Sequence, residues 1–277
     1  MTDTLTARAL AFRQLHADPG CFVIPNPWDA GSARLLAQMG FKALASTGAG
    51  HAFSRGLTDG AVGREGMLAH LREMAAATDL PLSADLENGF GAAPETVANT
   101  LRLAATTGIV GGSIEDSSGD RSAPLYPLAL ATERIRAAVE AARDLPFPFT
   151  LTARAENYFI GQPDLADTIR RLQAYQEAGA DVLFAPGLRT REDIAAVVSS
   201  VDRPVNVLMG MEGVTLTVAD LEALGVKRIS VGGSFARAAY GAFLRAAKEV
   251  QEKGSFGYAD EAISGRDITR LLRKPPG

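Results

Sequence analysis

Two carboxylates stand two residues apart in Ser83-Ala84-Asp85-Leu86-Glu87-Asn88-Gly89-Phe90-Gly91, where an apolar run gives way to a glycine-rich segment. If 81–84 is the end of a buried strand, side chains at i and i+2 share a face, so Asp85 and Glu87 project together. Two like charges held side by side raise one pKa unless a cation lies between them. A hard ion such as Mg²⁺ takes one or two carboxylates and keeps waters. An isolated Asp-x-Glu reads first as a solvated turn; acids at equivalent places elsewhere tip the reading toward a site. Glu115 and Asp116 close the run 111–116, and Arg154 closes the run 149–154. After the run 42–45, Ser46-Thr47-Gly48-Ala49-Gly50 is small enough for backbone N–H groups to approach a ligand.

Positioning these groups takes a repeated scaffold. A continuous apolar run, as expected of a strand buried on both faces, falls at 21–26, and further strands are expected at 42–45, 81–84, 111–116, 149–154, 181–185, 204–208 and 228–231. Helical spacing separates them, at 30–39 behind an Asp29 cap, 64–78, 95–107 with Pro94 in the first turn, 130–143, 165–178, 191–199, 218–224 and 235–252. A helix at 4–16 is expected to pack across one end, and the tail to hold one further helix. The segments 51–63 and 117–127 read as loops, the latter a polar, proline-punctuated mobile lid. Eight strand–helix units without a linker predict one α/β domain spanning 1–277. With every polar oddity at a strand's C-terminal end, they predict a closed (β/α)8 TIM barrel. An open doubly wound sheet is the alternative. Gly-x-Gly-x-x-Gly is absent after the first strand, against a dinucleotide site.

The bulk numbers agree. The 277 residues suit one such barrel, and 47% apolar with 22% charged residues is ordinary for a globular chain. A net charge of −4 does not favour a nucleic-acid groove. The single Cys21 excludes an intrachain disulfide and a multi-cysteine metal cluster. No apolar run reaches the roughly 18 residues of a membrane span, and Met1-Thr2-Asp3-Thr4 opens no signal peptide. The expectation is a cytoplasmic protein without nucleic-acid or membrane partners.

Taken in order, Pro25-Asn26-Pro27-Trp28-Asp29-Ala30-Gly31-Ser32-Ala33, Ser46-Thr47-Gly48, Ala84-Asp85-Leu86-Glu87-Asn88-Gly89-Phe90-Gly91, Ile114-Glu115-Asp116 and Ala153-Arg154 resemble the isocitrate lyase/phosphoenolpyruvate mutase superfamily, in its phosphonomutase-like branch. The likeness runs from about residue 5 to residue 255. It implies Mg²⁺, with Mn²⁺ as the other hard ion, and a small 2-oxo or 2-hydroxy acid passing through an enolate. It implies Asp85 as the nearest metal ligand, with Glu87, Glu115 and Asp59 holding metal-bound water. Ser46, Thr47 and Gly48 would bind the substrate carboxylate and oxo oxygen, and Arg154 its other charged end. It also implies a dimer or tetramer exchanging the C-terminal helix from Phe235 onward.

The chemistry of the residues fits. A permanently charged planar fork suits a distal carboxylate or phosphonate; a salt bridge from Arg154 to Glu115 or Glu156 is the second reading. Lyases for isocitrate and methylisocitrate carry lysines and a cysteine in the lid; 117–127 has none, nor Asn or His. Cys21, opening a strand, reads as a small packed hydrophobe. The expected reaction is therefore C–C cleavage of a small dicarboxylic acid, by a lyase or decarboxylase. Alternatives are a phosphonate enzyme (phosphoenolpyruvate phosphonomutase or phosphonopyruvate hydrolase) and a non-catalytic 2-oxo-acid sensor. A phosphate-binding barrel using Gly232-Gly233-Ser234 is a weaker fourth. Proton carriers are sought among Tyr158, His51 and Glu115. Tyr158 is alternatively a rim aromatic, and His51 a solvated loop residue. His16 and His70, on helices, are assigned no chemistry. Asn206, inside the seventh strand, either reaches a carboxylate or makes a structural hydrogen bond; Trp28 packs or walls the pocket. The candidate catalytic set is Asp59, Glu115, Arg154 and Tyr158. Ser46, Thr47, Gly48, Arg154 and Asn206 bind substrate, and Asp85, Glu87 and Glu115 bind metal.

Overall fold

A computed structural model describes residues 2–273. The elements run α1 (Thr2–Ala17), β1 (Phe22–Ile24), α2 (Ala30–Gln38), β2 (Leu44–Ala45), α3 (Gly48–Ser54), α4 (Gly63–Ala77), β3 (Leu82–Asp85), α5 (Pro94–Ala105), β4 (Gly111–Glu115), α6 (Leu128–Arg143) and β5 (Thr150–Arg154). They continue with α7 (Leu165–Ala178), β6 (Val182–Phe184), α8 (Arg191–Ser199), β7 (Val205–Leu208), α9 (Val218–Ala223), β8 (Arg228–Ser230), α10 (Ser234–Lys253) and α11 (Gly265–Leu272).

All strand pairs are parallel, in the order β1-β8-β7-β6-β5-β4-β3-β2. The seam between β1 and β2 is closed by the Ala45 N–H donating to the Pro25 carbonyl at 3.1 Å. Asn26 reinforces it: its Nδ2 donates to the Ser46 carbonyl (3.0 Å), and its Oδ1 accepts from Val231 and Gly232 (2.9 Å each). One buried amide thus ties the ends of β1, β2 and β8 into a (β/α)8 TIM barrel.

The helices turn their buried faces to this cylinder for local reasons. Asp29 and Ser32 form a reciprocal capping box on α2. Pro94 opens α5, and Gly179 ends α7 in the left-handed conformation (φ 105°). The helix α1 closes the N-terminal end, as its spacing predicts. A Cβ at Gly111 would stand 2.8 Å from Phe12 Cε1 and 2.8 Å from the Thr150 carbonyl, so glycine there lets Phe12 seat against β4. Overpacking that contact, as in Gly111→Ala, costs about 1–3 kcal/mol.

Two expected loops differ. The start of 51–63 belongs to α3, which begins at Gly48. Thr47 Oγ1 accepts the Gly50 N–H (3.2 Å), and a Cβ on Gly50 would come within 2.9 Å of Trp28 Cβ. Packing overrides the poor helix propensity of the glycines. The segment 117–127, expected as a mobile lid, carries a stapled turn. Ser117 and Leu125 form an antiparallel bridge, and Ser118 N–H donates to the Pro124 carbonyl (2.9 Å).

At the other end of the chain, α10 stands away from the barrel. Ala236 is its one buried residue, while Phe243 and Leu244 are 65% and 62% exposed. The expected tail helix is present as α11, packed against α2 of the same chain.

Candidate active site

The acids gather where β3 runs out. The strand ends at Asp85, and Glu87 adopts a left-handed conformation (φ 49°), as does Phe90 (φ 59°). The two carboxylates therefore converge through a strained turn rather than through strand alternation. Such strain persists only where surroundings over-determine it. Buried Arg134 donates to the carbonyls of Asn88, Gly91 and Ala92 and lies 4.1 Å from the Tyr126 ring centre. Thr100 Oγ1 donates to the Gly89 carbonyl at 2.9 Å.

The result is a shared focus above Gly48. A Cβ there would stand 3.3 Å from both Asp85 Oδ2 and Glu87 Oε1. Gly48 N–H donates to Asp85 Oδ2 (2.9 Å), and Asp85 N–H donates to Ser46 Oγ (2.8 Å). Glu87 Oε1 is buried and has no hydrogen-bond partner.

Arg154 sits among the acids. Its Nη1 lies 3.3 Å from Glu115 Oε2 and 3.8 Å from Asp85 Oδ1, and its Nε donates to Glu156 Oε1. Phe159 and Phe184 lie 5.4 and 5.3 Å from its guanidinium carbon. One cation does not neutralise this many carboxylates. Burial, followed by Asp85 and Asp59, pushes Glu87 up to about 7, and Asp59 is raised by burial and then by Asp85. Glu115 is raised well above the usual range by its own burial, with Arg154 opposing.

This donor set fits a small hard cation. It is all oxygen, has excess negative charge, and holds an orphaned buried carboxylate oxygen at the focus. Among the described residues no three His, Cys, Asp or Glu form a ready-made cage. One direct carboxylate with the others reached through water is the arrangement left to it.

These groups open onto one cavity of about 900 Å³ at the C-terminal end of the barrel, lined also by Ser46, Thr47, Asp59, Tyr158 and Asn206. Burial, followed by Asp193 of α8, raises Tyr158. Asn206 has two partners: Nδ2 donates to Ser230 Oγ (3.0 Å) and Oδ1 accepts from Arg228 Nε (2.9 Å). His51 corrects the reading of a solvated loop residue: it is buried in α3 and stacked on His70, and neither it nor Trp28 lines the cavity. Arg154 lines the cavity and makes the salt bridges to Glu115 and Glu156 that were its other reading.

Three supports escape sequence reasoning. Asp116 is buried; its Oδ1 accepts the Glu156 N–H (2.9 Å), and its Oδ2 accepts from Tyr175 Oη (2.6 Å) and Arg171 Nη1 (3.0 Å). It fixes the loop carrying Glu156 and, through Tyr126 N–H, the foot of the stapled turn. Asn26 and Arg134 are the others. Their partners lie 20 to 206 positions away, beyond any periodic signal; the one hint was an acid adjoining Glu115.

Comparison with known proteins gives a consistent family. The family model for phosphoenolpyruvate phosphomutase matches residues 12–251. A putative lyase/mutase from Burkholderia cenocepacia J2315 is 59% identical over 98% of each chain, with a TM-score of 0.97. The 2-methylisocitrate lyase of Halalkalibacterium halodurans is 26% identical over 88% of this chain and 82% of its own. A phosphonopyruvate hydrolase bound to oxalate and Mg²⁺ is 25% identical over 95% and 94%, with a TM-score of 0.85.

Proposed function

We propose that this chain, which belongs to the phosphoenolpyruvate phosphomutase family within the isocitrate lyase/phosphoenolpyruvate mutase superfamily, is a Mg²⁺-dependent lyase. It cleaves a C–C bond of a small 2-oxo or 2-hydroxy dicarboxylic acid through an enolate, and Mn²⁺ can replace Mg²⁺. The observation that carries this reading is the surplus of carboxylates around Arg154, with Asp85 and Glu87 focused on the backbone of Gly48.

Asp85 is the proposed direct ligand, with Glu87, Glu115 and Asp59 acting through water. When bound, the ion supplies Lewis-acid stabilisation of negative charge on the substrate oxygen. Small side chains at 46–50 let backbone N–H groups and the Ser46 and Thr47 hydroxyls meet the substrate carboxylate. Glu115 is the proposed proton carrier: burial raises its carboxyl, with Arg154 opposing, and Arg154 fixes its position. Tyr158, beside Asp193, is the alternative donor at the rim.

The turn 117–127 lacks Lys and Cys, which favours decarboxylation or cleavage of a substituted malate over isocitrate cleavage. The relationship to 2-methylisocitrate lyase supports a lyase; that to phosphonopyruvate hydrolase supports a phosphonate enzyme as the alternative. The same proposal includes a cytoplasmic homo-oligomer joined through α10. No helix among the described residues is long and apolar enough to cross a membrane.

The test is an NMR screen with Mg²⁺ against oxaloacetate, isocitrate, methylisocitrate, dimethylmalate and phosphonopyruvate, with Asp85→Ala as control. Loss of one dicarboxylic acid, absent in the variant, supports the lyase. Phosphate or phosphoenolpyruvate from phosphonopyruvate selects the alternative. Saturable binding without turnover leaves a 2-oxo-acid sensor.

A further inference from the structure

The cavity has a floor as well as a mouth. Asp85, Ser113 and Thr152 are register partners on β3, β4 and β5, and Glu115 and Arg154 pair one side-chain step nearer the mouth. Ser83, Ser113 and Ser230 line the same cavity, and at its base lies Arg228 of β8. Arg228 is buried inside the barrel. Its Nε donates to Asn206 Oδ1 (2.9 Å) and its Nη2 to Thr152 Oγ1 (2.9 Å).

The third partner is His16, from the helix that plugs the barrel. His16 Nδ1 is 2.9 Å from the Phe12 carbonyl, which can only accept, so Nδ1 carries the proton. Burial, helped by Arg228, lowers His16 to about 3, so the ring is neutral and Nε2 accepts from Arg228 Nη1 at 3.3 Å. Every partner of Arg228 among the described residues is therefore uncharged. Its desolvation is uncompensated, and burial alone lowers it to about 9. A guanidinium has five N–H groups; three are used, leaving one on each Nη.

The contrast with Arg154 decides the assignment. Arg154 is held by Glu115, Glu156 and Asp85, and an incoming carboxylate would have to displace an acid. At Arg228 no acid stands in the way, and an anion would supply the charge that the buried guanidinium lacks. Thr152, at its Nη2, lies two residues below Arg154 on β5, about 6.6 Å along the strand.

We propose that Arg228 is a second anion-binding residue, on the floor of the cavity, which receives the distal carboxylate of a small dicarboxylic acid whose other end is held at the mouth. This rests on the reading of the mouth as a 2-oxo or 2-hydroxy acid site. It makes Arg228, with Thr152 and Asn206 orienting it, the group that selects diacids over monoacids.

The test compares malate with 2-hydroxybutyrate, of equal chain length but with a methyl in place of the distal carboxylate, by calorimetric titration in Mg²⁺. The wild type is expected to prefer malate by about 10- to 100-fold. Arg228→Gln abolishes that preference and leaves 2-hydroxybutyrate unchanged; Arg228→Lys recovers part of it. A preference that survives in Arg228→Gln, or an equal loss of both ligands, overturns the proposal. If the wild type binds neither acid, the reading of the mouth fails, and a bromide-soaked crystal decides the floor. An anomalous peak at Arg228 that vanishes in Arg228→Gln supports an anion site there, and no peak overturns it.

Discussion

Arg154 and Glu115 are register partners on adjacent parallel strands, with Nη1 3.3 Å from Oε2. The pair is half-buried, its side chains 14% and 16% exposed, and the buried Glu156 shares the same guanidinium. Removing one partner of a buried ion pair is costly because the other is left unneutralised. Arg154→Met is expected to lose about 3–5 kcal/mol of stability at pH 8 in urea unfolding. The loss shrinks at pH 5.5, where Glu115 and Glu156 take up protons instead. Arg154→Lys keeps the charge without the fork and recovers part of the stability. Turnover is expected to fall at least about 100-fold in both variants, since the acids lose their fixed positions.

The metal assignment predicts a specific loss in Asp85→Ala. Titration with Mn²⁺, followed by electron paramagnetic resonance, should show binding in wild type and at least about a tenfold weaker affinity in the variant. Turnover should fall by about 10² to 10³ or more. EDTA should abolish wild-type activity, and Mg²⁺ should restore it. Activity that survives both EDTA and Asp85→Ala would remove the metal from the proposal.

The barrel and the acid cluster were legible in sequence for the same reason. Short segments of small and apolar residues alternate with helical spacing, and a charged residue at the end of such a segment, as at Asp85, Glu115 and Arg154, stands out. Contacts between distant segments left no such trace. The His16–Arg228 contact spans 212 positions, and the Asp116–Tyr175 hydrogen bond spans 59. Arg228 looked like the polar start of an apolar strand. The helix at 48–54 was hidden because its glycines weaken propensity and its stability comes from Trp28 and Ala236 packed against it. The bridge within 117–127 left no signal, because it depends on pairing that composition does not encode.

The exposed face of α10 predicts an assembly. Phe243, Leu244 and Val250 are 65%, 62% and 38% exposed on a helix with one buried residue. Light scattering at micromolar concentration is expected to find a dimer or tetramer. Phe243→Glu with Leu244→Glu should shift it to monomer without changing the far-ultraviolet circular dichroism. A monomeric wild type would dismiss the exchange of this helix between copies.

The rings of His51 and His70 stack at 3.7 Å with planes 13° apart, joining α3, which presents Gly48, to α4. Burial lowers both, His70 to about 3. His51 Nδ1 and His70 Nε2 are buried without partners, so protonation brings a charge into an unsatisfied place beside another imidazole. The sign follows from linkage. A folded-state pKa below the unfolded value of about 6.5 means that the unfolded chain binds the extra proton. The stability of the neutral ring is fully present above pH 6.5 and is lost progressively as pH falls toward 3. At pH 5 His70 alone accounts for about 2 kcal/mol. Thermal unfolding of wild type and His70→Phe at pH 7.5 and 5.0 separates this from the carboxylates, which both proteins share. The variant is expected to lose several degrees less than wild type on acidification. Equal losses would mean that the stacked pair takes up its proton as readily in the folded protein as in the unfolded chain.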